Sequence, residues 1–171
     1  MRWPVTFSLV CLLTLLTACT SAPKGIAPVE GFELSRYLGT WHEIARLNHG
    51  FERGLSQVTA EYQLRGDGGV SVTNRGFDAK TQSWKSAEGK AYFVQTPDIG
   101  HLKVSFFGPF YGAYVIYRLD ADYQYAFVTS YNRDYLWLLA RSPEVDESVR
   151  QAFITQAEKL GFDSQALIWV Q

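Results

Sequence analysis

Residues 57–64 (QVTAEYQL) alternate without a break. Val58, Ala60, Tyr62 and Leu64 fall on one side, and Gln57, Thr59, Glu61 and Gln63 on the other. A period of two marks a strand with one buried face. The fold is constrained because the pattern recurs at hairpin spacing. Arg65-Gly66-Asp67-Gly68-Gly69 supplies a turn and residues 70–74 (VSVTN) resume the alternation. Ser83 and Trp84 lead through Ala87-Glu88-Gly89 into residues 90–95 (KAYFVQ), and residues 96–100 (TPDIG) turn the chain into 102–107 (LKVSFF). Gly108-Pro109 breaks that strand; residues 113–119, 125–131 and 135–141 (YLWLLAR) follow, separated by Asp120-Ala121-Asp122 and Asn132-Arg133-Asp134. With residues 41–47 this makes about eight antiparallel strands, which stack as a sandwich or close as an up-and-down barrel.

One segment reads as a long helix. Ser142 caps it, Pro143 suits its first turn, and Val145, Val149, Phe153, Ile154, Ala157 and Leu160 recur at spacings of three and four until Gly161. The amphipathic pattern puts this helix outside the strands. Residues 166–170 (ALIWV) read as a last short strand.

The 171 residues allow one domain with a real core. A net charge of −1 offers no basic field for nucleic acid. The first eighteen residues are a separate object: Arg2 is their only charge, and residues 5–16 are apolar apart from Thr6, Ser8 and Thr14. That run is shorter than the about 20 residues a membrane span needs and fits the apolar part of a secretory signal. Cys11 lies inside it.

Leu16-Thr17-Ala18-Cys19 resembles the bacterial lipobox. The resemblance implies cleavage before Cys19, a diacylglyceryl thioether on its sulfur and acylation of the new N-terminus. Two or more acyl chains hold a protein firmly on a membrane where one holds it marginally. Thr20, where an Asp would imply inner-membrane retention, implies the outer membrane. No cysteine follows Cys19, so it reads as a membrane handle. The expected division is residues 1–18 as signal peptide, 19–33 as lipidated cysteine and tether (with Pro23, Gly25, Pro28 and Gly31), and 34–171 as the folded domain.

Gly39-Thr40-Trp41 opens the first strand and resembles the G-x-W signature of the lipocalins. The order around it strengthens the match: Phe51-Glu52 and Gly54, the Tyr62 strand, Phe106-Phe107-Gly108-Pro109-Phe110, then residues 134–141 (DYLWLLAR) and the helix. The middle motif departs from its usual T-D-Y form, being Asn132-Arg133-Asp134-Tyr135 here. The resemblance spans roughly residues 32–170 and, with the lipobox, points to bacterial outer-membrane lipocalins related to apolipoprotein D. It implies an all-β, eight-stranded antiparallel barrel with one external C-terminal helix. It also implies that Trp41 plugs the closed end, that Arg141 lies across its indole, and that Gly39 lets the backbone pack beneath. Those three are fold residues.

A barrel of eight strands holds one small ligand. By parity the expected wall is Val58, Ala60, Tyr62, Val72, Val104, Phe106 and Leu139. Family likeness adds Trp137, and Phe93 and Tyr114 join where parity does not decide. Glu43 shares the inward parity of Trp41, either as a hydrogen-bonded structural group or as a polar anchor. An apolar wall with a few polar groups suits an acyl chain with a polar head. The expected function is storage, transport or scavenging of fatty acids or lysophospholipids, with no cofactor and no metal. The chain has no G-x-S-x-G elbow and no H-E-x-x-H; His42, His49 and His101 lie far apart. The alternatives are an envelope interaction lipoprotein whose barrel is filled, and a lipid-modifying enzyme.

Overall fold

Eight antiparallel strands close on themselves in the computed structural model, which describes residues 19–170. They are β1 (Gly39–Leu47), β2 (Leu55–Leu64), β3 (Val70–Asp78), β4 (Ser83–Phe93), β5 (His101–Ser105), β6 (Gly112–Leu119), β7 (Tyr125–Thr129) and β8 (Leu136–Ala140). Each pairs with the next in sequence, and β1 pairs with both β8 and β2, which shuts the ring. Closure joins the first and last barrel strands, which removes the long edges an open sheet would expose and leaves only short unpaired stretches. The expected barrel is therefore present, and the sandwich alternative falls. The signal-peptide reading of residues 1–18, Cys11 included, lies outside the described residues.

The strands bury both faces on one side of the barrel. Trp41, Tyr37, Tyr62, Val72, Ile116 and Leu139 pack along the axis. A second cluster lies outside, where Ile44, Phe127 and Leu138 meet Phe153 and Ala157 of helix α2 (Glu147–Lys159). The Phe127 and Phe153 rings meet edge to face at 5.0 Å. This double burial explains why residues 114–117 show no readable parity. Tyr114 and Ile116 face in, while Tyr117 faces out and stacks on Phe162.

Three details differ from the sequence reading. β4 runs unbroken through Ala87-Glu88-Gly89, because Gly89 is where the Phe106 ring crosses the inner face: a Cβ there would stand 2.8 Å from the Ser105 carbonyl and 2.9 Å from that ring. Helix α2 starts at Glu147 rather than beside Ser142, whose hydroxyl instead accepts the Glu144 N–H in a turn. Residues 19–33, read as a tether, are laid on the barrel. Ala113 N–H donates to the Cys19 carbonyl at 2.7 Å, the His101 ring meets the Thr20 carbonyl at 2.8 Å, Val29 N–H donates to Ile116, and Ile26 and Phe32 are buried. A short helix, α1 (Leu34–Tyr37), then leads into β1, and β9 (Leu167–Trp169) pairs with the far end of β1.

The two ends differ. Residues 65–69, 94–100 and 120–124 connect strands at the end where Trp41 sits. That floor is closed by Phe32, which is bonded to Asp98 through its backbone and packs on Tyr37, Phe93 and Tyr123. Residues 48–54, 79–82, 106–111 and 130–135 form the opposite end, the mouth.

Candidate functional site

The floor is built by Trp41, which is fully buried, with its indole N–H donating to the Tyr37 carbonyl at 2.7 Å. The Arg141 guanidinium lies 4.0 Å above the indole centroid and donates to the carbonyls of Thr40, Arg36 and Leu38. A cation over an indole is attracted by its π face. Gly39 adopts φ +92, a left-handed conformation that favours glycine, and a Cβ there would stand 3.5 Å from Arg141. Phe93 also faces in, but its ring lies 6.1 Å from Phe32, so it belongs to the floor.

Above the indole, three phenols form a chain: Tyr37 to Tyr114 at 2.7 Å and Tyr114 to Tyr62 at 2.8 Å. Burial pushes all three hydroxyls up from their ordinary value, so they stay protonated. Toward the mouth the inner face changes character. Tyr62, Val72 and Leu139 are buried, yet Ala60, Val104, Phe106, Tyr114 and Trp137 on that face keep partial exposure. Ala87, which pairs with Asn74 on the register of Val72 and Gly89, is exposed. Ala60, Asn74 and Ala87 present short side chains here, Ala60 and Asn74 half-buried and Ala87 exposed, whereas Phe106 packs over Gly89 and Leu55 and Val58 pack over Gly76. Val58 is buried on the same face, its Cγ2 3.2 Å from where a Cβ of Gly76 would stand.

One wall is charged. The β1 register shifts between Glu43 and Ala45, so that Glu43 opposes Leu139 and Arg46 opposes Trp137. Ile44 and Ala45 both turn outward to the helix, and Arg46 turns in. Arg46 is buried. It donates to the Glu43 carboxylate at 2.5 Å and to the carbonyls of Glu52 and Leu55 at 2.8 and 3.1 Å. The Glu52 carboxylate accepts the Trp137 indole N–H at 3.1 Å and stands 3.0 Å from His49 Nε2. Burial, with the Glu52 charge beside it, pushes the Glu43 carboxyl well above the carboxylate range against the pull of Arg46. Burial also acts to raise Glu52, but His49, the Trp137 N–H and Arg46 outweigh it and hold that carboxyl below its ordinary value. Arg46 Nε and His49 Nδ1 in this wall are buried with no hydrogen-bond partner.

Sequence reasoning placed Glu43 and Trp137 in the site but not Arg46, His49 or Glu52, although it met Glu52 as part of a family motif. The available signal was a lone arginine within the apolar run Ile44-Ala45-Arg46-Leu47. Among the described residues no group of three or more His, Cys, Asp or Glu side chains could hold a metal ion. A crevice of about 290 Å³ is lined by residues including His42, Glu43, Gln57, Val58, Trp84 and Pro143.

Residues 32–171 match the family described as a lipocalin-like domain. The chain is a lipocalin. It belongs with the bacterial outer-membrane lipoproteins of that family. It is 54% identical over 166 residues to outer membrane lipoprotein Blc of Vibrio cholerae, covering 96% of each chain. It is 50% identical over 159 residues to the Blc protein of Escherichia coli K12, covering 92% of this chain and 90% of that one. Apolipoprotein D of Bos taurus is 33% identical over 122 residues, covering 67% of this chain and 63% of that one. Among solved structures, insecticyanin of the tobacco hornworm Manduca sexta superposes with a TM-score of 0.68 at 22% identity, covering 88% and 86% of the two chains, which bears on fold alone. Lipocalins as a family are binding proteins for small hydrophobic molecules, and this lipocalin has a lipid-binding role.

Proposed function

We propose that this lipocalin is held on the outer membrane by acyl chains on Cys19 and carries fatty acids or lysophospholipids within the envelope. The observation that carries the ligand reading is the mixed inner face of the mouth half. Apolar Val104 and Phe106 at β5 face across the barrel toward β1, whose buried Glu43 and Arg46 stand beside Glu52 of the next loop and Trp137 and Leu139 of β8. An acyl chain gains about 0.8 kcal/mol per buried methylene against such a wall. Arg46 and His49 are suited to a polar head, because each keeps an unpartnered nitrogen. The names of the relatives support the anchor, and Cys19 is exposed and chemically free to carry it.

The test is equilibrium titration with a lysophospholipid and a matching fatty acid, followed by tryptophan fluorescence, with Trp137→Phe as control. Saturable quenching in the micromolar range or below, diminished in the control with circular dichroism unchanged, is the expected result. A folded, delipidated chain that binds neither removes the carrier reading and favours an envelope interaction protein.

A further inference from the structure

Among the described residues, the mouth carries most of the exposed aromatic surface. Phe107 and Phe110, in the loop between β5 and β6, are 78% and 75% exposed, and Phe51, in the loop between β1 and β2, is 66% exposed. Phe51 continues around the rim through Tyr135, at 6.1 Å between ring centroids, to Tyr131, at a further 5.4 Å. Among the described residues these rings have no counterpart at the floor, where Leu64 and Val94 are the exposed large apolar side chains.

The described chain also begins at this rim. The Cys19 carbonyl accepts Ala113 N–H, and the Ala113 carbonyl accepts the hydroxyl of Ser130, the neighbour of Tyr131. Charge divides the same way. The mouth loops carry Arg53, Lys80 and Arg133 against Asp134 and the buried Glu52, whereas the floor gathers Asp67, Asp98, Asp120, Asp122 and Glu33 against Arg65, Arg36 and Arg141.

Taking the acyl anchor on Cys19 from the reading above, we propose that this aromatic rim docks on the phospholipid surface that holds the anchor, so that the barrel opens directly toward the bilayer. No slack separates anchor from rim, because Cys19 is itself bonded to β6 at the mouth. Aromatic side chains sit favourably at the level of lipid headgroups, and cations beside them meet lipid phosphates. The acidic floor, repelled by an anionic surface, faces away. A lipid ligand then passes between membrane and barrel without its acyl chain crossing bulk water.

The test uses the full chain, isolated from membranes and reconstituted in phosphatidylethanolamine–phosphatidylglycerol vesicles containing a lipid brominated near the headgroup. Phe110→Trp reports from the rim and Leu64→Trp from the floor; both positions are exposed, so neither substitution disturbs the core. The emission gained from Phe110→Trp is expected to be quenched at least about twofold more than that from Leu64→Trp, as an apolar face sunk about 5–10 Å into the interface requires. Flotation with the vesicles and lysophospholipid titration are read on the same samples. Equal quenching, or stronger quenching at Leu64→Trp, in a chain that floats and binds lipid overturns the orientation alone. A chain that does not float overturns the anchor and the orientation together. Rim-selective quenching in a chain that binds no lysophospholipid upholds the orientation and removes the carrier reading.

Discussion

Arg46 is a buried cation in a barrel wall that parity alone would reserve for apolar groups. Its guanidinium joins β1 to the mouth loop by bonds to Glu43, the Glu52 carbonyl and the Leu55 carbonyl. Removing one partner of a buried pair leaves the other uncompensated, so Arg46→Met should lower stability by about 3–5 kcal/mol in urea unfolding. The two carboxyls beside it predict opposite pH dependences. Glu52 is held below its ordinary 4.5, so it contributes stability above that pH which is lost as pH falls through its lowered value. Glu43 is raised above 4.5, so its contribution is present below 4.5 and lost as pH rises toward its folded value. Glu52→Gln should therefore weaken the neutral protein and soften its acid unfolding. Glu43→Gln should flatten the decline above about pH 4.5. Unfolding midpoints from roughly pH 4 to 8 check both.

At the scale of elements, β4 and β1 show what a period of two does and does not reveal. The inner positions Ala60, Tyr62, Val72, Val104 and Leu139 were legible because their strands alternate there, Phe106 because it continues the parity of β5, and Trp137 through the family likeness. The register shift at Ile44 was not legible, because helix α2 makes the outer face apolar too and Ala45 or Leu47 suits either side. His49 and Glu52 sit in a loop, where no period assigns a direction. Gly89 looked like part of a connection when it lies inside a strand, beneath the Phe106 ring. Gly89→Val should drive a side chain into Phe106 and the Ser105 carbonyl, costing about 1–3 kcal/mol in thermal unfolding and narrowing the mouth half. Helix α2 is a buttress for the outer wall. Phe153→Ala, at a fully buried position against Phe127, should cost about 3–5 kcal/mol by the same assay.

The whole molecule is polarised along the barrel axis. The floor is sealed by rings and an arginine, the middle holds neutral phenols, and the mouth half combines apolar wall, buried charge and solvent access. The central claim is that this mouth half takes one acyl chain. Calorimetric titration of lysophospholipid into the wild type and Val104→Trp tests it most directly, since the added indole fills the partly exposed inner face while β5 keeps its register. The account predicts one ligand per barrel for the wild type, and an affinity at least about tenfold weaker, a loss of about 1.4 kcal/mol, for the filled variant with its fold intact. Equal affinity in the two proteins would place the ligand outside the barrel and contradict the account.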